Sequence, residues 1–340
     1  MSSSTFIWPI IGHQSIQMYL QKCIKSGKIF HAYIFAGSEG LGKTTVARLF
    51  FQTLACKLFN PTIASFPCNT CKVCQQMQSG SHPDLYWLAP VHSPFLLLDD
   101  IQSLRSRLSK RAFFSGITFV GIEKAHLLTP EASSALLKLI EEPVTRLCCI
   151  FLTSAYAALP ETLRSRTHVI FFHPVSQSLI SDSLRDRCSH KQALELAQES
   201  FGRPGFALQA LATPELRKNL HTLVAHFLKV LHTKKLAARL TMLEALFFRG
   251  ISTQHTRARF QEICEVWSFV LRDIFFVKLD QKKYLRFPTF VEQYNNFAAQ
   301  ITSRHLLQMM QDTIRITQAM KTNITPQLLL EQFFLQHSFS

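Results

Sequence analysis

The stretch "YIFAGSEGLGKTTVARLF" (Tyr33–Phe50) decides the fold class. Its lead-in, "HAYIFAG", reads as a buried strand ended by a glycine. The spacing G-x-x-x-x-G-K-[ST] follows at Gly37, Gly42, Lys43 and Thr44, with a further glycine at Gly40. From Lys43 to about Leu58 the pattern is helical. Strand, glycine-rich turn and helix start in that order make a phosphate-binding loop. Its glycines let backbone N–H groups curl around phosphate oxygens, and the helix N-terminus adds partial positive charge. In such a loop Lys43 reaches the β- and γ-phosphates and the Thr44 hydroxyl binds Mg²⁺. The expectation is an ATP or ADP site with Mg²⁺, built from Gly37, Gly40, Gly42, Lys43, Thr44 and Thr45. The motif does not choose a reaction, because kinases, GTPases and ATPases all use it.

Outward from the loop, "GITFVGIE", "LCCIFLTSA" and "HVIFFHP" are short apolar runs rich in Ile, Val and Phe, separated by helical segments. That alternation predicts βαβ units and a parallel sheet. One helix is clearly punctuated in "LTPEASSALLKLIEEPV": Thr129 suits the N-cap, Pro130 the first turn, and Pro143 the stop. After about Pro174 the alternation ceases. "SHKQALELAQESFGRPGFALQAL" gives two helical patterns around a glycine–proline turn, and from Pro214 the chain reads as helical throughout. The expected division is an α/β nucleotide-type domain over 1–173, a small helical domain over 174–213 and a helical C-terminal domain over 214–340.

The balance of 37 Lys+Arg against 22 Asp+Glu leaves a net charge of +15, which suits an anionic partner such as nucleic acid, nucleotide or an acidic protein. The start "MSSSTFIWPI" has no basic residue before an apolar run, and no stretch of about 18 apolar residues occurs. A cytoplasmic chain with no membrane partner is therefore expected.

In a reducing compartment the nine cysteines need a role other than disulfides. Four of them, Cys56, Cys68, Cys71 and Cys74, are spaced C-x11-C-x2-C-x2-C. Four thiolates satisfy a tetrahedral Zn²⁺ with no position left for water, so the metal would be structural. An iron–sulfur cluster is the alternative that the C-x2-C-x2-C run leaves open. Cys23, Cys148, Cys149, Cys188 and Cys264 read as small buried apolar residues.

Together these motifs resemble the bacterial clamp-loader subunits of the AAA+ class. "IWPIIGHQSIQMYLQKCIKSGKIFHAYIFAGSEGLGKTTVARLF" is similar to the family's opening, with Gly12 and Gln14 before the first helix. "GSHPDLYWLAP" resembles its His-Pro-Asp segment, here His82, Pro83 and Asp84. "ALLKLIEEP" (Ala135–Pro143) is close to A-L-L-K-x-L-E-E-P, and "LRSRTHVIFF" resembles the S-R-C segment at Ser165, Arg166 and Thr167. The likeness spans about residues 8–173. It implies an α/β AAA+ domain with the zinc module (56–74) inserted, then a helical lid and an all-α collar. Through the collar such subunits assemble with gamma/tau and delta types into a hetero-oligomeric ring. That ring loads a sliding clamp on primed DNA.

The family holds a hydrolysing motor type and a stator type that largely does not hydrolyse. A motor carries Asp-Glu after its second core strand, to hold Mg²⁺ and to polarise the attacking water. Here "FVGIEKAHLL" puts Glu123 in the aspartate's place and Lys124 in the glutamate's. A cationic lysine cannot accept the water's proton, while Glu123 keeps a carboxylate for the metal. Motors also carry an arginine at the start of a lid helix, and here Gly205 and Phe206 occupy that region, with Arg203 before the proline turn. Arg166 survives, and the resemblance gives it a catalytic role in trans, at a neighbour's γ-phosphate. Thr153 and Ser154, at a strand end, are candidate polar sensors. These features point to a stator with little hydrolysis of its own. The competing readings are a gamma/tau-type motor, an unrelated P-loop phosphotransferase and a zinc-based nucleic-acid binder. The last is weakened because Lys72 is the only basic residue between Cys68 and Cys74.

Overall fold

The computed structural model describes residues 8–58, 67–90, 93, 95–108, 116–142, 146–233, 235–247, 253–319 and 326–337. Two compact units emerge: the first comprises residues 1–197 with 202–207, the second 198–201 with 208–340.

The first unit runs α1 (Gln14–Ser26), β1 (Ala32–Ala36), α2 (Lys43–Ala55), α3 (Lys72–Ser79), β2 (Leu85–Leu88), α4 (Leu98–Leu108) and β3 (Ile117–Ile122). It continues through α5 (Pro130–Glu141), β4 (Arg146–Thr153), α6 (Glu161–Ser165), β5 (His168–Phe171) and α7 (Gln177–Leu184). Helices α8 (His190–Glu199) and α9 (Pro204–Ala212) each divide between the units.

The five strands form one sheet in the order β2-β3-β4-β1-β5, with every neighbouring pair parallel. Strand β1 is fully buried, and its side chains alternate between two cores. Tyr33 and Phe35 pack with Val46, Ala47, Phe50 and Phe51 of α2. Ala32, Ile34 and Ala36 pack with Ile101, Leu104 and Leu108 of α4 and with Leu136, Leu139 and Ile140 of α5. Helices on both faces explain why the strands read as unbroken apolar runs. Cys148 and Cys149, adjacent in β4, are both buried, one in each core.

The apolar runs expected as strands are β1, β3, β4 and β5. Strand β2, "LYWL", is not among them. It is a half-buried edge of four residues, too short to show a period. Helix α5 begins as its punctuation predicts: the Thr129 side chain accepts from the Ala132 N–H, with proline in the first turn. The expected stop at Pro143 lies outside the described residues.

The second unit is helical: α10 (Pro214–His232), α11 (Leu236–Phe247), α12 (Thr253–Lys278), α13 (Val291–Gln300), α14 (Ser303–Ala319) and α15 (Pro326–Gln336). Its core centres on Trp267, which stacks on Phe227 at 4.3 Å and meets Phe334 edge-on at 5.7 Å. Several basic residues counted in the net charge are turned inward here. Arg239 and Arg286 are buried. Arg217 pairs with the buried Glu199 at 2.7 Å, and Arg272 with the buried Asp273 at 2.8 Å. The positive surface of this unit is smaller than its composition implies. Among the described residues, no helix is long and apolar enough to cross a membrane.

Candidate nucleotide site and cysteine centre

The phosphate loop hangs between the end of β1 and the start of α2. Both neighbouring strands hold its root: Gly37 N–H donates to the Thr153 carbonyl at 3.1 Å, and Phe172 N–H to Ala36 at 2.7 Å. Gly37, Gly40 and Gly42 have φ of 147°, 80° and 89°, a region that disfavours side chains. At Gly37 the fit is also tight, since a Cβ there would lie 2.4 Å from the Phe172 carbonyl oxygen. Gly42 is the N-cap of α2. Thr44 is half-buried and Thr45 exposed at the helix start.

Lys43 is folded back on the loop. Its ammonium donates to the carbonyls of Gly37 at 2.5 Å and Ser38 at 2.7 Å. Only 8% of the residue is exposed. That burial pushes its pKa down to about 8, against the Glu39 charge, which raises it. A phosphate would supply the counter-charge that two neutral carbonyls do not.

Two further segments touch the loop, and neither was singled out from sequence for this purpose. His13, N-cap of α1 in the left-handed region, places Nε2 2.9 Å from the Leu41 carbonyl. Gly205, in the first turn of α9, donates its N–H to the Gly40 carbonyl at 2.8 Å. The sequence carries their signals, a Gly-His step before α1 and a glycine at the start of α9, but not their target. The Arg203 guanidinium lies over the Phe206 ring at 5.8 Å.

At the end of β3, Glu123 points a carboxylate oxygen at the Trp87 indole, which donates from Nε1 at 2.8 Å. Lys124 is exposed, with φ 49° and ψ 45°, and caps a 3-10 turn over Ala125–Leu127. Thr153, buried at the end of β4, contacts His126 Nδ1 at 3.2 Å and accepts from Ala155 N–H at 3.1 Å. Arg166 lies elsewhere, exposed after α6. It pairs with Glu141 at the end of α5 and donates to the Thr162 carbonyl at 3.2 Å.

The four cysteines converge, their sulfurs lying within 4.8 Å of one another. Cys56 follows α2, and Cys71 caps α3, its sulfur accepting from Cys74 N–H at 3.4 Å. Cys71 N–H in turn points at Cys68 Sγ at 3.5 Å. Asn69 takes the left-handed conformation that closes this knuckle, and its side chain accepts from Gln52 Nε2 at 3.1 Å. The Cys56–Cys68 and Cys68–Cys74 sulfurs are 3.5 Å and 3.7 Å apart. Those gaps are too long for disulfides and suit thiolates about 2.3 Å from one tetrahedral ion. An iron–sulfur cluster, whose cysteines ligate different irons, holds its sulfurs farther apart. At Cys68, burial opposes ionisation, but the N–H groups of Cys71 and Thr70 outweigh it and bring the thiol down to about 6. The donor set therefore fits Zn²⁺.

A parallel sheet in the order 5-1-4-3-2, with a phosphate loop after β1, the second strand from one edge, defines an AAA+-class P-loop domain. Residues 12–176 match the family model described as DNA polymerase III, delta subunit. Over those residues, just under half of its length, the chain is similar to the bacterial clamp-loader subunits of DNA polymerase III. It is 23% identical over 322 residues to the DNA polymerase III subunit delta' of Bacillus subtilis (strain 168), covering 94% of each chain. It is also 29% identical over 214 residues to subunit gamma/tau of Mycoplasma pneumoniae, covering 63% of this chain and 30% of that one. With subunit gamma of Buchnera aphidicola subsp. Schizaphis graminum the identity is 32% over 162 residues, covering 46% and 42%. The chain thus spans less than half the length of these gamma-type relatives. A solved structure of a gamma subunit-related protein from Thermotoga maritima superposes loosely, with a TM-score of 0.46 and 14% identity over 94% of this chain and 98% of that one.

Proposed function

We propose that this chain is the stator of a DNA polymerase III clamp loader. At most it binds ATP or ADP in the loop around Lys43, with little hydrolysis of its own. It lends Arg166 to the ATP site of a neighbouring gamma/tau-type subunit. In this reading residues 174–213 are the lid, and residues 214–340 are the collar that joins gamma/tau- and delta-type subunits in a ring. The ring acts on a sliding clamp at primed DNA. A Zn²⁺ on Cys56, Cys68, Cys71 and Cys74 is structural: it would tie the end of α2 to the start of α3.

The observation that carries the reading is the pair Glu123–Lys124. A general base is needed where Lys124 stands, and a solvated lysine at neutral pH is a cation that accepts no proton. The lid side agrees, since Gly205 offers no cation to a γ-phosphate. Arg166 is exposed, so it is available to another subunit.

The test is co-purification with the gamma/tau- and delta-type subunits of the same cell, followed by ATPase assay. The isolated chain should bind ATP and show little turnover. The assembly should hydrolyse ATP, and Arg166→Ala should slow the site it serves by about 10³-fold or more. Turnover by the isolated chain that Lys43→Ala abolishes would instead make it a motor.

A further inference from the structure

Glu123 stands where a motor holds its Mg²⁺-binding aspartate, yet its carboxylate is engaged elsewhere. We propose that Trp87 is a positioning residue that takes up this carboxylate. Nucleotide in the loop is then held without the Glu123 carboxylate on its Mg²⁺. The proposal rests on the reading that the loop binds nucleotide.

The sheet order gives the direction. β3 lies between β2 and β4, and β1, which carries the loop, is on the far side of β4. Trp87 belongs to β2. A carboxylate that accepts from Trp87 Nε1 at 2.8 Å is therefore drawn toward the sheet edge, away from β1. The extra methylene of glutamate gives it that reach.

Three features hold the indole there. Trp87 pairs in register with Gly121, two residues before Glu123, which follows β3 directly. Its ring lies directly on Gly121: a Cβ at that position would be 2.3 Å from two ring atoms. From α2, the Arg48 guanidinium lies 4.9 Å from the ring centroid, and the Phe51 ring meets it edge-on at 6.2 Å. A half-buried indole N–H needs an acceptor, and an ionised carboxylate is a strong one. Turning Glu123 toward a metal at the loop would strand that donor.

The test uses the full-length chain and ATP, with affinity measured calorimetrically in magnesium-free buffer and in excess MgCl₂. No chelator is used, because it would also reach the cysteine tetrad. Glu123→Gln should leave the magnesium dependence of ATP affinity within about twofold of wild type. Trp87→Phe keeps a ring on Gly121 and removes the donor. It should raise that dependence by about fivefold or more, and adding Glu123→Gln should cancel the gain. A fall of about fivefold or more in Glu123→Gln alone, or no change in Trp87→Phe, overturns the proposal. The Trp87 indole N–H resonance, identified by its loss in Trp87→Phe, reads the bond without nucleotide. It should move in Glu123→Gln, and an unmoved resonance overturns the role of Trp87 whatever ATP does. A chain that binds no ATP but shows the moved resonance refutes the nucleotide reading and leaves Trp87's hold on Glu123 standing.

Discussion

The backbone N–H of Gly205 donates to the carbonyl of Gly40, 2.8 Å away, and fastens the first turn of α9 to the phosphate loop. Contact this close requires glycine at position 205, since a Cβ there would lie 2.8 Å from the Gly40 oxygen. The missing side chain is thus a packing feature as well as a missing cation. Gly205→Arg should not create a motor. It should part α9 from the loop, cost about 1–3 kcal/mol in urea unfolding, and give no ATP turnover. A stable variant that hydrolyses ATP would show that the contact is incidental.

Lys43 links the loop to pH. Its unfolded pKa is near the ordinary 10.5, and burial lowers the folded value to about 8. The cost of burying the charge is therefore complete below about 8 and fades as pH rises toward 10.5. Without nucleotide, wild-type stability should gain on that of Lys43→Met between pH 8 and 10. At pH 7 the variant should be the more stable by about 1 kcal/mol, since it loses two carbonyl contacts as well as the buried charge. Urea titrations of both proteins at several pH values check this. ATP binding should recharge the lysine and take up protons near pH 9, which calorimetry in buffers of different ionisation heat detects.

The cysteine tetrad should carry one zinc ion per chain by elemental analysis. Cys74→Ser removes a buried ligand and should lower both zinc content and stability, by at least about 2 kcal/mol. Stripping zinc from wild type should mimic the substitution, and adding Zn²⁺ back should reverse the stripping. A metal-free chain of unchanged stability would reduce the cluster to four packed thiols.

Arg166 pairs with Glu141, and both side chains are nearly half exposed. Such a pair contributes about 0–1 kcal/mol, so Glu141→Gln should barely move the unfolding midpoint. The same variant should weaken the arginine's effect in the assembled loader by about two- to tenfold, because an unheld arginine meets a neighbour's phosphate in fewer productive poses. ATPase and unfolding measured side by side separate the two effects. Equal losses in both would make Glu141 merely structural.

Much of the molecule was legible in one dimension. The strand, loop and helix of Tyr33–Phe50 are contiguous, and backbone geometry alone demands their glycines. The cysteine spacing carries its own chemistry, and the runs that became β1, β3 and β4 are apolar because helices cover both faces of the sheet. Lys124 was equally legible, because a charge type at a motif position needs no coordinates.

Tertiary structure decided what those residues face. Trp87, in β2, and Glu123, just after β3, are 36 positions apart, and nothing in "LYWL" names an acceptor for the indole. Gly205 meets Gly40, His13 meets Leu41, and Glu141 meets Arg166 only after the chain has folded. Hydrogen bonds and charge pairs act over a few ångströms, and sequence spacing fixes such distances only within one helix, strand or turn. The sequence by itself determined a glycine-rich cradle with the spacing of a phosphate loop, four cysteines at metal-ligand spacing, and a lysine at position 124. Only the fold decided that the cradle is clasped by a second helix and that its remaining carboxylate is turned toward a tryptophan.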